Sequence, residues 1–123
     1  MSRILIAEDE ARLAAFIEKG LRRNGYQIAI ASDGVQALQM IRSGEFDLLL
    51  LDIGLPIIDG WTVLSELEAN SINLSTIVVT ASDDVSASLK RITKRVPDYI
   101  CKPFRFAELL ELIQVNLPNE SVN

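Results

Sequence analysis

Short apolar runs without polar alternation constrain this chain more than any other feature. Residues 4–7, 48–51 and 77–79 are apolar without a break, and similar runs lie at 28–31 and 99–101. A strand with one wet face alternates apolar and polar side chains, whereas an unbroken apolar strand is covered on both faces. Between the runs the spacing turns helical. Leu13, Ile17 and Leu21 stand four apart, and Val85, Leu89 and Ile92 fall at i, i+4 and i+7. Phe106, Leu109, Leu110, Ile113 and Leu117 form another stripe. Strand–helix units of roughly 25 residues are the size of a crossover. The pattern predicts one α/β domain, an open five-stranded parallel sheet with helices on both faces.

The turn residues agree. Asn24-Gly25 and Ser43-Gly44 close the first two helices. Asp33-Gly34-Val35-Gln36 has the form of a capping box. Asp59-Gly60 precedes a helix over 61–69, and Ser82-Asp83-Asp84 gives the fourth helical segment a cap and an acidic first turn. Pro118 ends the fifth, so the domain is expected over 1–118 and a loose polar tail over 119–123. A hydrophobic fraction of 49% argues against general disorder. The apolar start at 4–7 is too short for a secretion signal, and no run approaches a membrane span. With Cys101 as the one cysteine, a cytoplasmic location is expected. The net charge of -5 argues against direct nucleic-acid binding.

In such sheets ligands bind beyond the carboxyl ends of the strands. Glu8-Asp9-Glu10 follow the first run, Asp52 the third, Thr80 the fourth and Lys102-Pro103 the fifth. Each has a plain structural reading. Acids favour the start of a helix, a lone Asp caps a loop, a threonine ends a strand, and Lys-Pro makes a turn. Together they are a poor structural solution, because like charges crowd one edge. Glu8, Asp9 and Asp52 exceed the Lys102 ammonium by two charges, which one divalent cation balances. With no histidine in the chain, imidazole ligands and His-based catalysis are excluded. A hard, oxygen-preferring ion is left: Mg2+, Mn2+ or Ca2+. A carboxylate beside such an ion and an ammonium also suits phosphoryl acceptance. An Asp52 oxygen attacks phosphorus to give an acyl phosphate, while the cations spread charge on the phosphoryl oxygens. The added negative charge then gives Thr80 and Lys102 reason to move inward.

The sequence resembles the receiver domain of two-component response regulators over about residues 3–117. The resemblance rests on Ile6-Ala7-Glu8-Asp9-Glu10, on Leu50-Leu51-Asp52 with Leu55-Pro56 and Asp59-Gly60, and on Thr80-Ala81. It also rests on Asp98-Tyr99-Ile100-Cys101-Lys102-Pro103-Phe104. It implies a flavodoxin-like sheet in the order 2-1-3-4-5. It implies that Asp52 is the phosphoacceptor, with Asp9, Asp52 and the Gly54 backbone carbonyl binding Mg2+ (Mn2+ as substitute) and Glu8 acting through water. Lys102 would pair with the phosphoryl group next to a cis bond to Pro103, and Thr80 and Tyr99 would form the switch. The donor would be a histidine kinase or a phosphotransfer protein. Such a domain is regulatory rather than an enzyme acting on another substrate, and it catalyses its own phosphorylation and dephosphorylation at Asp52. The small Gly54 and Ser82, two residues after acceptor and switch hydroxyl, imply a phosphoform of short to intermediate lifetime.

The chain departs from the family pattern in two places. Arg95-Val96-Pro97 replaces the common Gly-Ala-Asp, and Ile57 stands where many relatives have glycine after the loop proline. Lys90, Arg91, Lys94 and Arg95 share one side of the fourth helical segment. That side reads either as a solvated face or as a docking surface for an acidic partner or a second copy. Phosphorylation-dependent self-association through this segment, the fifth strand and the fifth helix is the corresponding expectation. Other readings fit less well. An aspartyl-nucleophile hydrolase needs a second Asp two residues on, where Gly54 stands, and a flavin module needs a phosphate cradle that Glu8-Asp9-Glu10 would repel. The runner-up is a degenerate receiver that docks to proteins without phosphorylation.

Overall fold

A computed structural model describes residues 2–81 and 97–117. Five strands, β1 (Arg3–Ala7), β2 (Gln27–Ala31), β3 (Leu48–Asp52), β4 (Ser75–Thr80) and β5 (Asp98–Cys101), form one sheet. Four described helices accompany them: α1 (Ala11–Arg23), α2 (Gly34–Arg42), α3 (Gly60–Ala69) and α4 (Phe106–Asn116). All pairings are parallel, in the order β2-β1-β3-β4-β5. This is the expected flavodoxin-like receiver architecture, with the order reversing between β1 and β3. The fourth helical segment, with Ser82 and the basic residues Lys90 to Arg95, lies outside the described residues. So do Pro118 and the tail 119–123. No described helix is long and apolar enough to cross a membrane.

The strands sort the core by alternation. Leu5, Ala7, Leu49, Leu51 and Val78 pack against Ala37, Leu38 and Ile41 of α2 and Val63, Leu64 and Leu67 of α3. The intervening Ile4, Ile6, Leu48, Leu50, Ile77, Val79 and Ile100 pack against Ala14, Ile17 and Leu21 of α1 and Leu109 and Ile113 of α4. Both faces of the central strands are therefore dry, as the unbroken apolar runs require.

Helix starts follow the expected caps with two differences. Asp33 Oδ1 accepts the Gln36 N–H at 2.8 Å, but Gln36 Oε1 reaches back to the Ser32 N–H, one residue before the cap, at 2.9 Å. Asp59 caps Thr62 at 2.9 Å, and α3 begins at Gly60 rather than at Trp61.

Candidate functional site

The alternation that sorts the core also builds the site. Counting on by two from Ile6, Leu50 and Ile100, which face α1 and α4, reaches Glu8, Asp52 and Lys102. Ile6 lies beside Leu50, and Val79 lies between Asp52 and Ile100. The three polar residues thus continue one row past the carboxyl edge of the sheet. Backbone bonds carry the ladder beyond the strands. The Glu8 N–H donates to Ala31 O at 3.0 Å, and the Lys102 N–H donates to Thr80 O at 2.7 Å.

Lys102 Nζ stands 3.2 Å from Glu8 Oε1 and 3.5 Å from Asp52 Oδ2. Glu8 and Asp52 are buried and Asp9 is exposed, and one carboxylate oxygen of each lies within 4.8 Å of the others. Glu8 Oε2 accepts the Glu10 N–H at 3.1 Å, and Asp52 Oδ1 accepts the Gly54 N–H at 3.0 Å. Burial pushes the Glu8 carboxyl up to about 6, helped by the charge of Asp52 and opposed by the Glu10 N–H and Lys102. Burial works against the Lys102 ammonium, but Asp52 and Glu8 outweigh it and hold it above the ordinary 10.5.

The donor set fits a small hard cation. All three groups offer oxygen, two are buried, and among the described residues one ammonium, Lys102, stands beside them and leaves them under-neutralised. Metal–oxygen distances of about 2.1 Å for Mg2+ separate opposite ligands by roughly 4 Å. The 4.8 Å bound on this cluster is close to that span.

The loop that leaves β3 is held tightly to the sheet. The Gly60 N–H donates to Ile53 O at 2.9 Å, closing residues 53–60 into a loop. A Cβ on Gly60 would lie 2.6 Å from Asp52 O, closer than real side chains come. Glycine therefore lets α3 begin directly against the backbone of Asp52 and Ile53. In the sequence, Asp59-Gly60 reads only as a helix start, and no periodicity reveals this close approach.

Glu8-Asp9-Glu10 do not serve the first turn of α1. The helix starts at Ala11 with no acidic residue in that turn, and Glu10, at the cap, makes no side-chain capping bond. Thr80 and Tyr99 fall in the other row of the pleat. They follow Val78, which faces α2 and α3 and pairs with Tyr99, out of phase with the Glu8–Asp52–Lys102 row. Thr80 is 5% exposed and Tyr99 37%. The Lys102–Pro103 bond is cis, as the resemblance implied.

A family profile described as "Response regulator receiver domain" matches residues 4–114. The transcriptional regulatory protein PcoR of Escherichia coli is 35% identical over 117 residues, covering 95% of this chain and 52% of its own length. The transcriptional activator protein IrlR of Burkholderia pseudomallei is 38% identical over 112 residues, covering 91% and 48%. The chain thus spans about half the length of these curated relatives. Among solved structures, a Francisella response regulator receiver domain superposes with a TM-score of 0.84 at 30% identity, covering 100% of both chains. The response regulator TrrA of Thermotoga maritima, in complex with Mg2+-BeF, gives 0.84 at 32% identity, covering 94% of this chain and 99% of its own.

Proposed function

The chain belongs to the response-regulator receiver family, the phosphoacceptor switches of two-component signalling, and from that premise we propose how its own residues perform the switch. Asp52 is the phosphoacceptor. Its carboxylate attacks the phosphorus of a phosphohistidine on a histidine kinase or phosphotransfer protein, and the imidazole leaves. Asp9, Asp52 and the Gly54 carbonyl would hold Mg2+, with Glu8 acting through water; Mn2+ could take its place. The bound ion supplies positive charge to the phosphoryl oxygens. Lys102, whose ammonium already stands beside Asp52, pairs with the same oxygens. The observation that carries this reading is the Lys102 ammonium held between Glu8 and Asp52, with Asp9 closing the carboxylate cluster. That arrangement puts a nucleophile, a cation and an ion-binding set at one point, as phosphoryl transfer requires.

The domain is regulatory, and its catalysis is confined to forming and hydrolysing its own acyl phosphate. The pleat supports a route for the output. Phosphorylation changes the Asp52 charge from -1 to about -2. Thr80 moves toward the phosphoryl group, and Tyr99, in the same row as Thr80, follows. The surface of β5, α4 and the fourth helical segment changes, and self-association through that surface transmits the signal. The small residues Gly54 and Ser82, two positions after Asp52 and Thr80 in the sequence, favour a phosphoform of short to intermediate lifetime.

Intact-mass spectrometry after incubation with acetyl phosphate tests the reading. One phosphoryl adduct is expected on the wild type in Mg2+, almost none in a chelator, and none at this position in Asp52→Ala. A wild-type chain that takes no phosphoryl group would favour the degenerate, docking-only receiver instead.

A further inference from the structure

The loop after the acceptor is gripped at a second point that the chemistry above does not use. Pro56 O accepts the Ile58 N–H at 2.8 Å, a three-residue turn with Ile57 at φ 70 in its centre. The same carbonyl accepts the Gly34 N–H at 3.3 Å. Gly34 opens α2, and its N–H is one of the donors that a helix start leaves without an intrahelical partner. The approach is very close. A Cβ on Gly34 would lie 1.8 Å from Ile58 O and 2.6 Å from Ile58 C, so any side chain there must push the loop away.

The loop has few places to absorb such a push. Its inner end is closed by the Gly60–Ile53 bond, Leu55 is buried in the core, and Gly60 is wedged against Asp52. Gly54 is exposed and has the softest backbone of the segment. Gly54 stands between 56–58 and Asp52 in the chain, and its N–H donates to Asp52 Oδ1.

We propose that Gly34, on the neighbouring helix, is a positioning residue for the cation site: by docking α2 on Pro56 and Ile58 it fixes where Gly54 and the Asp52 carboxylate stand. The proposal rests on the Mg2+ reading above. Reciprocity follows: if the grip sets ion affinity, the bound ion tightens the grip.

Two measurements test it. Titration calorimetry with MgCl2, alongside urea unfolding, compares wild type, Gly34→Ala and Asp9→Asn. Gly34→Ala is expected to bind Mg2+ about tenfold more weakly in its folded form, the effect of disturbing groups that orient metal ligands. A merely structural glycine would lower stability and leave the affinity of the folded protein within twofold of wild type, which would overturn the proposal. Amide hydrogen exchange on the wild type needs no variant to fold. Mg2+ is expected to slow exchange at the Gly34 amide and leave the Gly44 amide, at the far end of α2, unchanged. Equal Gly34 exchange with and without Mg2+ would also overturn the proposal. If the wild type takes up no Mg2+, or Asp9→Asn binds it as well as wild type does, the site reading fails and the proposal goes with it.

Discussion

Glu8 carries the electrostatic cost of the site in the ion-free protein. It is 3% exposed, and burial raises its carboxyl from 4.5 to about 6 although Lys102 stands 3.2 Å away. A raised folded-state value means the folded chain binds this proton more tightly than the unfolded chain does. The stabilisation from protonating Glu8 is complete below pH 4.5 and lost as the pH rises through about 6. Its size is on the order of 2 kcal/mol. Glu8→Gln imitates the protonated form at every pH. In a chelator it should be more stable than wild type at pH 7.5 and level with it at pH 4.5, measured by urea unfolding. Equal stability at both pH values would show that Glu8 is not strained by burial. Calorimetry would then show the other side of the exchange, since the neutral amide should bind Mg2+ more weakly.

At the scale of the element, the segment from β3 to α3 holds most of the site's geometry and some of its strain. Ile57 sits at φ 70 and is 79% exposed. A β-branched side chain disfavours that region, and such a conformation costs roughly 1–3 kcal/mol. For glycine the same turn is unstrained. Ile57→Gly should raise stability by about 1 kcal/mol, the relief of strain exceeding the added chain entropy of glycine. A higher urea midpoint with an unchanged slope is the expected result. An unchanged or lower midpoint would mean that the isoleucine makes contacts that offset its backbone.

For the whole molecule, the sheet sorts the candidate site residues into two rows. Glu8, Asp52 and Lys102 extend the row facing α1 and α4, while Thr80 and Tyr99 extend the row facing α2 and α3. In the switch proposed above, a signal made on one row passes to the other through Thr80. Thr80→Ala should still accept a phosphoryl group from acetyl phosphate, whereas the tyrosine signal that accompanies phosphorylation in wild type should be lost. An undiminished tyrosine response in the variant would move the switch elsewhere. Ion binding should also stabilise the entire fold by mass action. A Mg2+ concentration one hundred times its dissociation constant adds about 2.7 kcal/mol, and Asp52→Asn should lose most of that gain in thermal melts.

The sequence by itself determined the layers, the direction of the strands and the residues at their ends. Unbroken runs such as 48–51 can only be strands covered on both sides, and Glu8, Asp52, Thr80 and Lys102 are legible because each directly follows such a run. The strand order 2-1-3-4-5 came from family resemblance, since periodicity carries no information about which strand lies beside which. Only the tertiary structure decided the rest. Strand register, a matter of long-range pairing, brought Glu8, Asp52 and Lys102 into one row and left Thr80 and Tyr99 in the other. Asp33-Gly34 and Asp59-Gly60 both read as helix starts, yet each glycine is required by a backbone from elsewhere in the chain. Such contacts between main chains leave no apolar pattern behind them, so they become visible only when the chain is folded.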